Sequence, residues 1–155
     1  MVGHLQSNKV ARAVRLFDVI QSVDSVELAQ RLGELAQHAR DGRPLPVYLQ
    51  VNVDRDLDKQ GFEPEGLEAG LAVLADIGGL EIRGLMTVGR LVGRPEDARS
   101  TFRKLRELSA HLRKMDPRLG AGLSMGMSHD FEVAVEEGAT VVRIGRALFG
   151  DRVAR

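Results

Sequence analysis

Between Leu123 and Gly150 the chain reads LSMGMSHDFEVAVEEGATVVRIGRALFG. Two short apolar runs, Leu123–Met127 and Thr140–Ile144, flank a segment in which Phe131, Val133, Ala134 and Val135 recur at helical spacing. The spacing predicts strand, helix, strand, and a crossover of that length implies a parallel pair. Each predicted strand ends in a loop suited to an anion. Gly126, Met127 and Ser128 follow the first, with Ser128 placed as the N-cap of a helix whose first turn holds Asp130 and Glu132. Gly145 and Arg146 follow the second, leading into the apolar turn Ala147, Leu148, Phe149 and then Gly150. Glycine lets backbone approach an oxyanion, free N–H groups receive it, and arginine adds charge. Alternation along the first strand places Ser124, Gly126 and Ser128 on one face. The competing reading is that Ser128 only caps a helix and Gly145 only turns the chain.

The rest of the chain repeats the same alternation. Strands are predicted for a short run at Val2–Leu5 and for Phe17–Val23, Pro46–Val53 and Leu80–Thr87. Asp24 and Ser25 open a helix to about Ala39, with Val26, Ala29, Leu32, Leu35, Ala36 and Ala39 as its apolar stripe. A second helix spans Pro64–Leu74, and a third runs from Pro95, well suited to a first helical position, to Met115. Repeated strand–helix units with right-handed crossovers predict an α/β fold with a parallel sheet. The count is six strands, where a closed barrel of this type has eight.

With 155 residues, of which 43% are hydrophobic and 28% charged, the chain has the material for one domain, residues 1–155, with a buried core. Net charge is zero, so nothing draws it globally to nucleic acid or to an anionic membrane. Without cysteine, disulfides and thiolate metal sites are excluded. No run is long and apolar enough to suggest a signal peptide or a membrane span, which makes the cytoplasm the expected location.

Three constellations invite a functional reading. Arg143 stands inside the apolar run Val141, Val142, Ile144, and burying it unpaired is costly, so it is expected to meet an anion, a carboxylate or a cofactor ring nitrogen. Gly3–Lys9, GHLQSNK, resembles a P-loop but has Asn8 in place of the last glycine and Val10 in place of the magnesium-binding hydroxyl, so a P-loop is rejected. Asp54, Asp56, Asp58 and Glu65 have the spacing of a calcium loop, yet Lys59 occupies the position that requires glycine; a solvated charged loop is the better reading. The four histidines are scattered, and none is spaced from another as metal ligands on a helix would be, so no metal site is assigned.

LSMGMSHDFEVAV followed by GATVVRIGRALFG resembles the C-terminal signature of the pyridoxal phosphate homeostasis proteins, members of the alanine-racemase-like barrel superfamily. GHLQSNK at 3–9, SVDS at 22–25, LQVN at 49–52, KQGF at 59–62 and IRGLM at 82–86 match the same family in order. The resemblance implies a partial (β/α)8 TIM barrel lacking its first two strand–helix units, with pyridoxal 5'-phosphate as cofactor. It implies a phosphate cup at Ser128, Gly145 and Arg146, with Ser124 on the same strand, and Arg143 facing the pyridine nitrogen, where a structural salt bridge is the alternative. Asn52 is implied to line the pocket, and Asn8 and Lys9 to lie near the cofactor at the rim.

In this family the lysine that holds the cofactor covalently lies on the first strand, upstream of every residue present. Lys9, Lys59, Lys104 and Lys114 do not match it, and only Lys9 is expected near the mouth. The implied function is therefore non-catalytic cofactor binding in vitamin B6 homeostasis. The alternatives are a fragment of a racemase-like enzyme and a non-binding remnant. The expected assembly is a monomer or weak homodimer, with edge-mediated association where an open sheet edge meets another chain.

Overall fold

The computed structural model describes residues 1–90 and 92–150. Five parallel strands form one sheet in sequence order: β1 (Ile20–Val23), β2 (Leu45–Gln50), β3 (Leu80–Met86), β4 (Gly122–Met127) and β5 (Val141–Arg143). Between and around them run α1 (Val10–Leu16), α2 (Val26–Ala39), α3 (Pro64–Ala75), α4 (Arg99–Met115), α5 (Phe131–Glu136) and the single turn α6 (Arg146–Phe149). Gln21 in β1 is hydrogen-bonded to Ser124 in β4, Oγ to Oε1, at 2.7 Å. In a flat sheet, strands three places apart would lie about 14 Å from each other. The sheet is therefore curled into half of a barrel wall.

The expected strand at Val2–Leu5 does not form, leaving five strands rather than six. Met1 alone keeps a strand-like place beside β1: its ammonium donates to the Val19 carbonyl at 2.5 Å, and its carbonyl accepts from the Gln21 N–H at 2.9 Å. The chain then bends at Gly3 and enters a 3-10 turn, Ser7–Lys9. Helix α1, which the sequence reading passed over, follows at once and buries Val10, Ala13 and Val14 at helical spacing. Its last turn takes the Phe17 N–H onto the Ala13 carbonyl at 3.0 Å, so β1 begins only at Ile20.

The remaining helices start and pack as their sequences dictate. Ser25 Oγ accepts the Leu28 N–H at 3.2 Å and caps α2, which buries Leu28, Ala29, Leu32 and Ala36. Ala39, expected on that stripe, is exposed. Removing the cap with Ser25→Ala is expected to cost about 1 kcal/mol, read as a lower urea midpoint with an unchanged slope. Pro64 stands at the first turn of α3, whose Leu67, Leu71 and Leu74 are buried. Pro95 instead opens a 3-10 turn, Pro95–Ala98, and α4 proper starts at Arg99, with Phe102, Leu105 and Leu112 facing the sheet.

Two local devices place the end of the barrel that matters. In β3 one extra residue separates the pairs Val47–Ile82 and Tyr48–Gly84, a β-bulge at Arg83. Beyond it Gly84, at φ 150°, lies directly against Gly122 of β4. The short helix α5 is anchored by the buried Glu137 just past its end, which meets Arg106 at 2.6 Å and Arg99 at 3.1 Å, both from α4. That anchor fixes α5 and with it the loop between β4 and α5.

Candidate functional site: an anion cup at the strand ends

The loops after β4 and β5 lie against each other. Ser128 Oγ accepts two backbone N–H groups from the second loop, Gly145 at 3.1 Å and Ala147 at 3.2 Å. The expectation that Ser128 caps its own helix is thus corrected. Asp130 is the N-cap of α5, and its Oδ1 accepts the Met127 N–H at 2.7 Å, closing the loop from inside. The Asp130 side chain makes no capping bond to α5, and the Ser128 hydroxyl lies outside the helix, facing the 145–147 backbone. Two N–H groups thus converge on one point, the serine hydroxyl, the kind of arrangement from which an anion nest is built.

Space lies in front of this nest. A side-chain carbon added at Gly145 would meet nothing within 4 Å. An open surface depression is lined by Ser128, His129, Arg146 and Ala147, with His129 and Arg146 exposed. The alternation expected to put 124, 126 and 128 on one face is interrupted at Gly126. Its φ of 89° and the closeness of Ala134 Cβ, 2.5 Å from where its own Cβ would stand, bend the strand end over α5. The β4–β5 register shifts over the same interval, between the pairs Ser124–Val141 and Met127–Arg143.

Ser124 consequently points to the concave face, where it is fully buried. Its hydroxyl donates to Gln21 Oε1 and accepts from Arg143 Nη1, each at 2.7 Å. Arg143 Nη2 donates to the Thr87 carbonyl, also at 2.7 Å. Among the described residues no carboxylate lies within salt-bridge distance of Arg143, so the structural salt bridge is absent and the two partners are neutral. Burial pushes the guanidinium down from its ordinary value, opposed by the charge of Asp130. A half-buried cation that pairs with no carboxylate among the described residues, with further N–H donors to spare, fits a ligand that brings a lone pair or negative charge.

Asn52 is placed differently from a pocket-lining group. Its side-chain amide is buried and spent on the following loop, donating to the carbonyls of Asp56 at 2.8 Å and Lys59 at 3.3 Å and accepting the Asp56 N–H at 3.0 Å. That loop is less solvated than its composition suggested. Asp54 is nearly buried, taking hydrogen bonds from Thr101 Oγ1 at 2.5 Å and Lys104 Nζ at 3.1 Å. Lys9 is exposed at the end of the first 3-10 turn. Lys59, assigned from sequence only to the charged loop, donates to the carbonyls of Val88 (3.3 Å) and Gly89 (2.5 Å). It lines a cavity of about 250 Å³ shared with Met127, His129, Asp130 and Arg146. Gln21 and Thr87 escaped the sequence reading, although Gln21 is a polar residue inside an apolar run, the signal that singled out Arg143.

A curled parallel sheet whose last two strands end in loops that gather N–H groups is the architecture of a phosphate-binding (β/α) barrel. The profile of the family described as "Alanine racemase, N-terminal domain" matches residues 1–153. The pyridoxal phosphate homeostasis protein of Aquifex aeolicus is 42% identical over 151 residues, and that of Pseudomonas aeruginosa 42% over 152. Each comparison covers 97% of this chain but only 65% and 63% of the respective relative, so the chain spans just under two-thirds of their length. PipY of Synechococcus elongatus, solved with PLP bound, superposes with a TM-score of 0.87 at 40% identity, covering 97% of this chain and 69% of PipY. Alanine racemase of Clostridium difficile, at 16% identity and a TM-score of 0.71, shares the fold over 99% of this chain and 41% of its own. The chain belongs to the alanine racemase N-terminal-domain family and, within it, to the pyridoxal phosphate homeostasis proteins.

Proposed function

We propose that this chain binds pyridoxal 5'-phosphate at the strand ends and serves in intracellular vitamin B6 homeostasis without turning over a substrate. The observation that carries the reading is the meeting of two features at one end of the barrel. Ser128 and the 145–147 backbone gather a hydroxyl and two N–H groups at one point, and Arg143, which pairs with no carboxylate among the described residues, stands at the end of the adjoining strand. The names of the relatives and the PLP bound in PipY support it.

In this reading Ser128, Gly145, Ala147 and Arg146 hold the phosphate, and Arg143 faces the pyridine nitrogen. An arginine at that nitrogen keeps it unprotonated, since the guanidinium donates and does not give up its proton. Bound pyridoxal phosphate supplies an electron sink, which catalysis exploits through a covalent lysine. None of the four lysines of this chain matches that anchor: Lys59 is engaged with two carbonyls, Lys104 with Asp54, and Lys9 and Lys114 are exposed. Retention therefore rests on the phosphate and ring contacts. Residues 1–155 act as one cofactor-binding unit in the cytoplasm, as a monomer or weak homodimer. Among the described residues no helix is long and apolar enough to cross a membrane.

The test is an absorbance titration of the folded chain with pyridoxal phosphate, competed with inorganic phosphate and followed by borohydride reduction and peptide mapping. Saturable binding, displaced by phosphate and leaving no lysine adduct, is the expected result. Folded protein that shows no saturation removes cofactor binding from this chain.

A further inference from the structure

The hydrogen-bond chain across the concave face has a direction. Gln21 Oε1 can only accept, so the bond at 2.7 Å uses the single proton of the Ser124 hydroxyl. The lone pairs of that oxygen are then turned toward Arg143 Nη1, which donates at 2.7 Å. Were the Gln21 amide reversed, Ser124 would receive two N–H donors and its own proton would lose this acceptor, so the network itself selects the orientation. Thr87 holds Nη2 from the other side. Two fixed acceptors on two nitrogens set the plane of the guanidinium.

We propose that Gln21 is a positioning residue. By fixing the Ser124 hydroxyl it sets the direction in which Arg143 presents its remaining N–H groups to the ring of a bound cofactor. The inference rests on the reading of the site given above, but it concerns a residue 122 positions away in sequence on the opposite strand of the curl. Gln21 is half-buried, and Ser124 is fully buried. Substitution at 21 therefore leaves the core intact, while its effect passes inward through the hydroxyl. Without the acceptor the hydroxyl is free to turn, and one of the two arms of the Arg143 clamp loses its fixed direction.

Gln21→Met keeps the length and removes the acceptor; Gln21→Glu keeps an acceptor oxygen. In the cofactor-free chain, nitrogen-15 NMR of the Arg143 guanidinium (assigned by its loss in Arg143→Lys) is expected to show separate Nη signals from a rotation-restricted group. They should merge in Gln21→Met and persist in Gln21→Glu. In ligand titrations, Gln21→Met is expected to weaken pyridoxal phosphate about tenfold, the scale of one charge-assisted hydrogen bond. Affinity for inorganic phosphate, which meets only the cup, should stay unchanged, and Gln21→Glu should restore the cofactor affinity. Unchanged NMR signals in Gln21→Met, or equal losses for cofactor and phosphate, overturn the proposal. Failure of the wild-type chain to bind pyridoxal phosphate is a different result: it overturns the functional reading and the cofactor half of this one, and the NMR comparison still decides whether Gln21 holds the clamp.

Discussion

Gly84→Ala should abolish folding of this chain. The added methyl would fall on the carbonyl oxygen of Gly122 and within 2.7 Å of its Cα, and the backbone there has a φ of 150° that alanine adopts only under strain. Neither neighbour is a side chain that can swing away. Relief requires β3 and β4 to separate, and Gly84–Gly122 is one of the three register pairs that join them. The expected cost is about 4 kcal/mol or more, the range reserved for strained or overpacked core sites. That is a large part of the total stability of an ordinary domain. Circular dichroism and a urea melt would read it as loss of the cooperative transition. A soluble Gly84→Ala protein melting within about 1 kcal/mol of wild type would mean that β3 and β4 do not pack this closely.

Ser128→Asp should separate binding from folding. A carboxylate at 128 still accepts the N–H groups of Gly145 and Ala147, so the two loops stay joined and the melting curve should hardly move. The phosphate dianion, however, would meet a fixed negative charge at the floor of its nest. Two like charges about 4 Å apart near a protein surface repel by about 4 kcal/mol. Affinity for pyridoxal phosphate and for inorganic phosphate should fall together by at least about a hundredfold, whereas Gln21→Met touches only the first. Retained phosphate binding in Ser128→Asp would place the anion elsewhere.

Much of this molecule could be read from residue pattern, and the failures have physical causes. The three long helices and the four better-defined strands follow period and capping, as in α2, where Ser25 does what a serine before an apolar stripe should do. Helix α1 was missed because seven residues give too short a period to stand out beside a glycine-containing loop. The strand at Val2–Leu5 failed because one apolar alternation says nothing about whether a neighbour exists to pair with. At the site, the residue types were legible and their partners were not. Ser128 and Gly145 were placed together, but the hydrogen bond between them runs between two loops, and the N-cap position of α5 falls two residues later, at Asp130. Arg143, expected to meet an anion, a carboxylate or a cofactor ring nitrogen, is held within the protein by a serine of β4 and by the Thr87 carbonyl just past β3, partners far from it in sequence.

The order of the sheet has a consequence for how the protein opens. Among the described residues every strand pairs with its neighbour in sequence and the first strand does not pair with the last, so the five strands form a linear stack of units. The middle of that stack, β2 with β3, is joined by six register pairs, while the terminal junctions β1–β2 and β4–β5 have two each. Local unfolding in such an array starts at the ends. The anion nest sits on the last unit and the amide that steadies its arginine on the first. A ligand held there ties together the two parts of the molecule most prone to fray, and part of its binding energy becomes resistance to unzipping.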